Sequence, residues 1–206
     1  MRLKHIKNAE TKIYESDYVI KNPVDYKGKW QKLFGNNNEI YLEIGMGKGD
    51  FLISLALDNP NINFIGMEKY ASVLLICTNK LKLMDKIPNL KLIVMDANFI
   101  NEVFDKEIDK LYLNFSDPWP KNRHKNRRLS SINFLEKYDL IFKNDKVIEL
   151  KTDNDNLFEF SLNSFKDYGY SIEEIDRNHD ALYKTEYEKK FISKNVNIKY
   201  VKVRKE

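Results

Sequence analysis

Short apolar runs of strand length alternate along this chain with longer stretches in which apolar positions recur at helical spacing. The runs predict strands at about 39–44, 62–67, 90–95, 109–115 and 145–151. The helical spacing predicts helices at about 50–58, 70–86, 131–142 and 154–168. Strands that alternate with helices favour an α/β fold, in which a parallel sheet is covered by helices on both faces.

The C-terminal part of the chain breaks this alternation. Apolar positions predict one strand from Tyr170 to Asp176 and another from Val196 to Val203. The polar connection between them is too short for a full crossover helix, so we expect an antiparallel pair at one edge of the sheet. Together these elements predict a mostly parallel, seven-stranded sheet with an antiparallel C-terminal strand.

The polar character of residues 1–30 predicts a flexible N-terminal arm. Besides tyrosines, we take Trp30 and Phe34 as the large apolar anchors in this part of the chain, and we expect the arm to dock near Trp30. The remaining residues, 31–206, are the right length for a single domain.

Composition narrows the classes of protein that fit. The 206 residues carry a net charge of only +4, so any affinity for nucleic acid has to come from clustered charge. The single Cys77 excludes a disulfide framework and fits a reducing compartment. The N-terminus lacks the apolar stretch of a signal peptide, and no run approaches the roughly 18 apolar residues of a membrane span. His5, His124 and His179 lack metal-ligand spacing, so we expect a cytoplasmic protein without a metal.

The most informative segment follows the predicted strand at 109–115. Asp117 opens an Asp-Pro-Trp-Pro sequence, and residues 121–128, the basic loop, follow without an acidic residue before Glu136. Three of the six arginines in the chain lie in the basic loop, and arginine provides the planar fork that clamps phosphates or base edges. We expect an RNA backbone to follow the residues Lys121, Arg123, His124, Lys125, Asn126, Arg127 and Arg128.

Two features of this segment leave alternatives open. The basic loop could be solvated and have no partner. Trp119 could stack on a target base, or it could wedge its loop against the core.

Acidic residues follow three predicted strands, at the edge where ligands of open parallel sheets bind. Glu43 precedes a glycine loop, residues 45–49, in which Gly45 and Gly47 allow the backbone to approach a ligand. Glu43 would repel a pyrophosphate but suits the cationic end of an amino acid. Glu68 is placed to bind the two hydroxyls of a ribose.

The third strand end places Asp96 and Asn98 where an adenine edge would lie. Asn98 could instead be a helix N-cap, as could Asp50 at the start of the first predicted helix. The glycine loop alone would also fit nicotinamide or flavin enzymes. The three acidic strand ends together favour S-adenosylmethionine.

With these motifs the chain resembles the bacterial tRNA (guanine-N7)-methyltransferases. The Asp-Pro-Trp-Pro-Lys run with its arginine-rich continuation is the most specific part of the resemblance, which covers the chain from about residue 22 onward. Met46 and Ser116 depart from the family pattern, but neither carries obvious chemistry. The resemblance is carried by Trp30 to Gly49, Gly66-Met67-Glu68, Asp96-Ala97-Asn98, Asn114 to Leu129, Leu150 to Asp153 and Thr185 to Glu188.

The resemblance implies a Rossmann-like class I methyltransferase fold, S-adenosylmethionine as the cofactor and tRNA as the partner, modified in its variable loop. No membrane and no obligate protein partner are expected, and the protein could be a monomer or a homodimer. Asp117 would be the catalytic residue, next to the cofactor. Substrate contacts would come from Lys121, Asp153 and the segment Thr185-Glu186-Tyr187-Glu188. Asp153 could also cap the next helix, and Thr185 with Glu188 fits a capping box.

The chemistry of guanine N7 fits this residue set. N7 has a free lone pair and no proton at neutral pH, so the nucleophile needs no general base. Catalysis then depends on orientation, and a carboxylate such as Asp117 would stabilise the cationic product ring. Asp117 could also accept hydrogen bonds from the Watson–Crick edge of guanine.

Rival functions fit less well. Methylation at pyrimidine C5 needs a cysteine nucleophile, and Cys77 lies in the middle of a predicted helix. Methylation of an adenine amino group remains the nearest chemical rival, although its usual motif has two consecutive prolines. A silent RNA-binding module and a nicotinamide-dependent oxidoreductase are the alternatives from other classes.

Overall fold

A computed structural model describes residues 5–206 of the chain. Seven strands form one sheet in the order β3-β2-β1-β4-β5-β7-β6. The first five in this order run parallel to one another, whereas β7 is antiparallel to both β5 and β6. The predicted sheet with one antiparallel C-terminal strand is therefore confirmed. The strands are β1 (Ile40–Ile44), β2 (Asn63–Glu68), β3 (Leu90–Val94), β4 (Ile108–Asn114), β5 (Phe142–Thr152), β6 (Ser171–Asp176) and β7 (Lys199–Lys205).

Eight α-helices lie within the described residues. The four predicted helices correspond to α3, α4, α6 and α7, whereas α1, α2, α5 and α8 are additional. Helix α4 ends at Leu81, earlier than the predicted residue 86. The helices are α1 (Ala9–Lys12), α2 (Trp30–Phe34), α3 (Asp50–Asp58), α4 (Ala71–Leu81), α5 (Ile100–Val103), α6 (Ile132–Asp139), α7 (Asp155–Asp167) and α8 (Glu186–Ile192).

The hydrophobic core consists of one layer on each face of the sheet. In β1, Leu42 and Ile44 pack into the layer that also contains residues of α5, α6 and α7. The intervening Tyr41 packs on the opposite layer, formed with α1, α3 and α4. This alternation follows from the two-residue period of a strand, and it confirms helices on both faces. No helix within residues 5–206 has the length and apolar content that crossing a membrane requires.

Within the described residues, the segment predicted as a flexible arm packs along the sheet and docks at Trp30. Trp30 is fully buried, and its indole Nε1 donates to the carbonyl of Val103 at 2.9 Å. Ile13 is also fully buried, and Val19 forms a bridge with Leu92 of the edge strand β3. Isolated apolar residues in a polar segment have no periodicity, so Ile13 and Val19 were not identified as anchors. Residues 1–4 of the proposed arm lie outside the described residues.

Candidate active site at the carboxyl edge of the sheet

The glycine loop connects the end of β1 to α3 and leaves open space beside its backbone. Gly45 and Gly47 have positive φ angles of 76° and 59°, and a Cβ atom on either would meet no heavy atom within 4 Å. Lys80 of α4 stabilises the loop, since it donates hydrogen bonds to the carbonyl of Lys48 and to the carboxylate of Asp50. Asp50 is therefore paired with a lysine and makes no side-chain cap on α3.

Glu43, at the end of β1, is a buried acid with one free oxygen. Only 1% of its surface is exposed, and its Oε1 accepts a hydrogen bond from Asn114 Nδ2 at 2.8 Å. Its Oε2 has no hydrogen-bond partner among the described residues. Burial raises the pKa of Glu43 to about 8, against the opposing effects of Asn114 and the positive charge of Lys151. A cationic ligand group would supply the donor that the free oxygen lacks.

Glu68, at the end of β2, joins this strand to the glycine loop. Its Oε2 accepts from the Gly47 amide at 3.1 Å, and its Oε1 accepts from the Tyr70 amide at 3.0 Å. Burial raises the pKa of Glu68, these backbone hydrogen bonds oppose the increase, and the negative charge of Asp117 adds to it. The charge of Asp117 therefore lies within electrostatic range of Glu68.

Asp96, just beyond β3, is the residue that caps the following turn. Its Oδ1 accepts from both the backbone amide and the side-chain amide of Asn98 at 2.9 Å, whereas Asn98 had been considered as the cap. Its Oδ2 pairs with Lys69 at 2.7 Å. Partial burial would raise the pKa of Asp96, but the hydrogen bonds from Lys69 and Asn98 outweigh it and lower the pKa below its ordinary value.

The Asp-Pro-Trp-Pro loop, residues 115–120, has an unusual backbone. Phe115 and Trp119 have positive φ angles of 51° and 40°, which are costly for residues with a side chain. Arg128 stabilises this conformation, because its guanidinium donates to the carbonyls of Pro118 and Trp119 at 2.9 and 3.2 Å. Asp117 lies exposed between the two strained positions.

Arg128 is buried, unlike the other lysines and arginines of the basic loop. Only 8% of its surface is exposed, and its guanidinium stacks over the ring of Phe160 at 4.3 Å. These contacts engage the guanidinium within the protein, so we expect Arg128 to hold the Asp-Pro-Trp-Pro loop, whereas the sequence predicted that it contacts RNA. The exposed side chains of the basic loop are those of Lys121, Asn122, Arg123, Lys125, Asn126 and Arg127.

Trp119 contacts the basic loop and not the core of the domain. Arg127 lies 5.0 Å from the centre of its ring, and the half-buried His124 packs edge-on at 5.7 Å. The hydrogen bond with Asp96 raises the pKa of Lys69, and the positive charge of Arg127 acts in the opposite direction. Arg127 of the basic loop therefore lies within electrostatic range of Lys69, which follows β2.

Helix α8 brings the Thr-Glu-Tyr-Glu segment to the same edge of the sheet. Thr185 and Glu188 form a complete capping box, which agrees with the structural alternative considered for them. Glu188 is fully buried, and its Oε2 pairs with Lys151 of β5 at 2.9 Å, whereas its Oε1 has no partner among the described residues. Lys151 also donates to the carbonyl of Tyr183 at 3.1 Å.

Two contacts place α8 against the other loops of the site. Glu186 forms an ion pair with Lys48 of the glycine loop at 2.7 Å. The ring of Phe191 stacks on that of Phe115 with centroids 6.2 Å apart. The neighbouring Tyr187 is exposed. The helix therefore lies between the glycine loop and the Asp-Pro-Trp-Pro loop.

Asp153 follows β5, but the residue that caps α7 is its neighbour Asn154. The side chain of Asn154 accepts from the amide of Leu157 at 2.8 Å and so caps α7. The carbonyl of Asp153 accepts from Lys199 at 3.0 Å. Its half-buried carboxylate remains available for a substrate.

Asn114 and Lys151 are site residues that sequence reasoning missed. Both are buried polar side chains at the ends of apolar strands, the same signal that identified Glu43. Among residues 5–206, no group of three or more His, Cys, Asp or Glu side chains could hold a metal ion.

Comparison with known proteins agrees with this geometry. A family model described as "Putative methyltransferase" matches residues 37–201. The tRNA (guanine-N(7)-)-methyltransferase of Lachnoclostridium phytofermentans is 46% identical over 94% of this chain and 93% of its own length. The enzyme of the same name from Bacillus subtilis is 44% identical over 93% and 92% of the two chains.

Solved structures with the same fold are more distant in sequence. The 16S rRNA methyltransferase KamB superposes with a TM-score of 0.67 at 12% identity, covering 86% of this chain and 92% of its own. A 16S rRNA (adenine(1408)-N(1))-methyltransferase from Catenulisporales acidiphilia, with S-adenosylmethionine as cosubstrate, superposes with a TM-score of 0.61 at 11% identity. The match covers 86% of this chain and 89% of that one. These neighbours confirm the class I methyltransferase fold. On the combined evidence of sequence and structure, this chain belongs to the bacterial tRNA (guanine-N7)-methyltransferase family.

Proposed function

We propose that this protein transfers a methyl group from S-adenosylmethionine to N7 of a guanosine in the variable loop of tRNA. The observation that carries this proposal is the position of Asp117, which is exposed on a strained loop, close to the cofactor-side Glu68 and next to a run of exposed cations. Because tRNA is a cytoplasmic substrate in bacteria, the enzyme acts in the cytoplasm.

The residues at the strand ends fit the cofactor. Glu43 has a buried, unpaired oxygen for a cationic amino group, and Gly45 and Gly47 leave open space beside the backbone. Glu68 and Asp96, with Asn98, end the next two strands, where the ribose and adenine would bind. When bound, S-adenosylmethionine supplies a methyl group on a positively charged sulfur.

Guanine recognition would involve the residues around α8 and β5. Asp153, Thr185 and Glu188 provide oxygen atoms for the N–H donors of guanine, and Lys121 begins the basic loop beside Asp117. Glu188 has only one oxygen for this purpose, because the other pairs with Lys151. Glu186 and Tyr187 are exposed on the same helix.

Asp117 stabilises the reaction electrostatically. N7 of guanine attacks with its own lone pair, so no residue has to remove a proton. The ring becomes cationic as the methyl group is transferred, and a fixed carboxylate near it lowers the energy of that charged state. The exposed cations of the basic loop hold the tRNA backbone, so that the base remains in line for transfer.

The proposal is tested with two tRNA transcripts, one made with guanosine and one with 7-deazaguanosine, which has carbon in place of N7. Methyl incorporation from labelled S-adenosylmethionine is expected on the first transcript and absent on the second, while both bind the protein with similar affinity. Equal incorporation into both transcripts would overturn the assignment of N7.

A further inference from the structure

Two neighbouring acceptors at the carboxyl edge of the sheet have no hydrogen-bond partner within residues 5–206. They are Glu43 Oε2 and Asn114 Oδ1, both buried, and the two side chains are joined by the hydrogen bond from Asn114 Nδ2 to Glu43 Oε1. Buried polar atoms in native proteins nearly always have a partner, so two unpaired acceptors on a hydrogen-bonded pair require an explanation.

The contact with Glu43 fixes the orientation of Asn114. The nitrogen of the Asn114 amide faces Oε1 of Glu43 at 2.8 Å, and this oxygen can accept the hydrogen bond in either protonation state of the carboxyl group. The amide oxygen then points away from that hydrogen bond as an acceptor. Glu43 and Asn114 together present two oxygens from two parallel strands, β1 and β4.

The nearest cation of the protein does not satisfy these oxygens. Lys151 is the register partner of Asn114 on β5, but its hydrogen bonds go to Glu188 and to the carbonyl of Tyr183. Its charge reaches Glu43 only through space. No donor among residues 5–206 pairs with these two oxygens, so a ligand or a water molecule would supply it.

We propose that Asn114 is a cofactor-binding residue, whose Oδ1 accepts a hydrogen bond from the α-ammonium of S-adenosylmethionine while its Nδ2 holds Glu43 in place to pair with the same group. An ammonium has three N–H donors and a positive charge, which match two adjacent acceptors of which one is a carboxylate. This inference rests on the proposed cofactor, and it adds a residue that carries none of the cofactor roles inferred from the sequence.

The test compares two ligands that differ in the amino-acid end. S-adenosylhomocysteine has the α-ammonium, whereas 5′-methylthioadenosine contains the nucleoside and lacks the amino acid. Dissociation constants of both are measured by calorimetry for the wild type, for Asn114→Ala and for Asn63→Ala. Asn63 is a matched control, because it is a buried strand asparagine at the opposite edge of the sheet and bonds to Asn36.

Asn114→Ala is expected to weaken S-adenosylhomocysteine binding by roughly 10- to 100-fold, the usual effect of losing a hydrogen bond to a charged group. Binding of 5′-methylthioadenosine should change by less than about twofold, as should both affinities in Asn63→Ala. Retained binding of 5′-methylthioadenosine also shows that a variant is folded. If Asn114→Ala does not bind 5′-methylthioadenosine at all, Asn114→Ser is measured in its place.

Three results would decide against the proposal or its basis. An equal loss of affinity for both ligands would mean that Asn114 only braces the fold. An unchanged affinity for S-adenosylhomocysteine would mean that a water molecule, and not the ammonium, satisfies Asn114. Failure of the wild type to bind S-adenosylhomocysteine would instead overturn the proposed cofactor, and with it the proposed function.

Discussion

At the scale of single residues, burial determines what the acids of the site can do. Glu43 is almost fully enclosed and has a raised pKa, whereas Asp117 is exposed on its loop. Glu43 therefore resists ionisation in the absence of a cationic partner, whereas we propose that the exposed Asp117 faces the entering base. Two carboxylates at one sheet edge thus have different tasks because their surroundings differ.

The pH dependence of stability tests the burial of Glu43. An ordinary glutamate has a pKa of 4.5, and this one has a pKa of about 8 in the folded protein. Between these values the folded state holds a proton that the unfolded state has lost, so the free energy of unfolding falls as pH rises through that window. Lys151, Glu68, Cys77 and Tyr112 also act electrostatically on or with Glu43.

Comparison with Glu43→Gln isolates the contribution of Glu43 from those neighbours. Above pH 8 the variant should be more stable than the wild type by about 2–5 kcal/mol, and near pH 5 the two should be similar. Urea unfolding at pH 5 and pH 8.5 measures both differences. A difference that is the same at the two pH values would contradict the raised pKa.

The role of Asp117 predicts a loss of turnover without a loss of the cofactor site. Asp117→Ala should lower the rate of methyl transfer by at least about 100-fold, because a fixed charge near the reacting ring is removed. Its affinity for S-adenosylhomocysteine should change by less than about tenfold. Asp105→Ala, at an exposed aspartate before β4, is the control and should behave as the wild type. Normal turnover of Asp117→Ala would refute the assigned role.

At the scale of elements, tertiary contacts hold the two segments that cover the site. Helix α8 is short and polar, and it is fixed by the buried ion pair between Glu188 and Lys151 and by its capping box. The Asp-Pro-Trp-Pro loop is held in a strained conformation by Arg128. The capping box could be read from the local sequence, but the ion pair and the support from Arg128 could not, because they depend on burial and on tertiary contacts.

The ion pair of α8 predicts a stability difference between single and double variants. Lys151→Met should lower the free energy of unfolding by about 3–5 kcal/mol, because it leaves the buried Glu188 carboxylate without a counter-charge. The double variant Lys151→Met with Glu188→Met should recover most of that loss, since apolar residues often replace a buried pair at little cost. Urea unfolding compares the three proteins. Equal stability of the single and double variants would argue against the pair.

Two arginines of the basic loop should differ in their contribution to tRNA binding, because Arg123 is exposed and Arg128 is buried. Arg123→Ala removes an exposed cation and should reduce the slope of log affinity for tRNA against log salt concentration by about 1. Arg128→Ala should leave that slope unchanged but lower turnover, because the loop that presents Asp117 loses its hydrogen bonds. Filter binding at several salt concentrations distinguishes them. A reduced slope for Arg128→Ala would mean that this side chain reaches the RNA after all.

At the scale of the whole molecule, the sheet and its edge could be predicted, whereas much of what covers that edge could not. Apolar runs that end at or next to Glu43, Glu68 and Asp96 identified three of the strands and the edge where they end, but not their order in the sheet, because strand burial leaves a strong local pattern. Helix α8 has few apolar positions, and its place depends on Lys151. The burial of Arg128 could not be predicted from the sequence, because this residue directly follows a run of polar and charged residues. The family motif supplied the rest of the function.

The most direct test of the whole account is a methylation assay on tRNA that lacks 7-methylguanosine, with labelled S-adenosylmethionine and nucleoside analysis of the digest. The account predicts that the label appears in 7-methylguanosine, and that it maps to the variable loop. Label in any other nucleoside would contradict the chemistry assigned to the site. An absence of label, from protein that binds S-adenosylhomocysteine, would contradict the assignment of tRNA as the substrate.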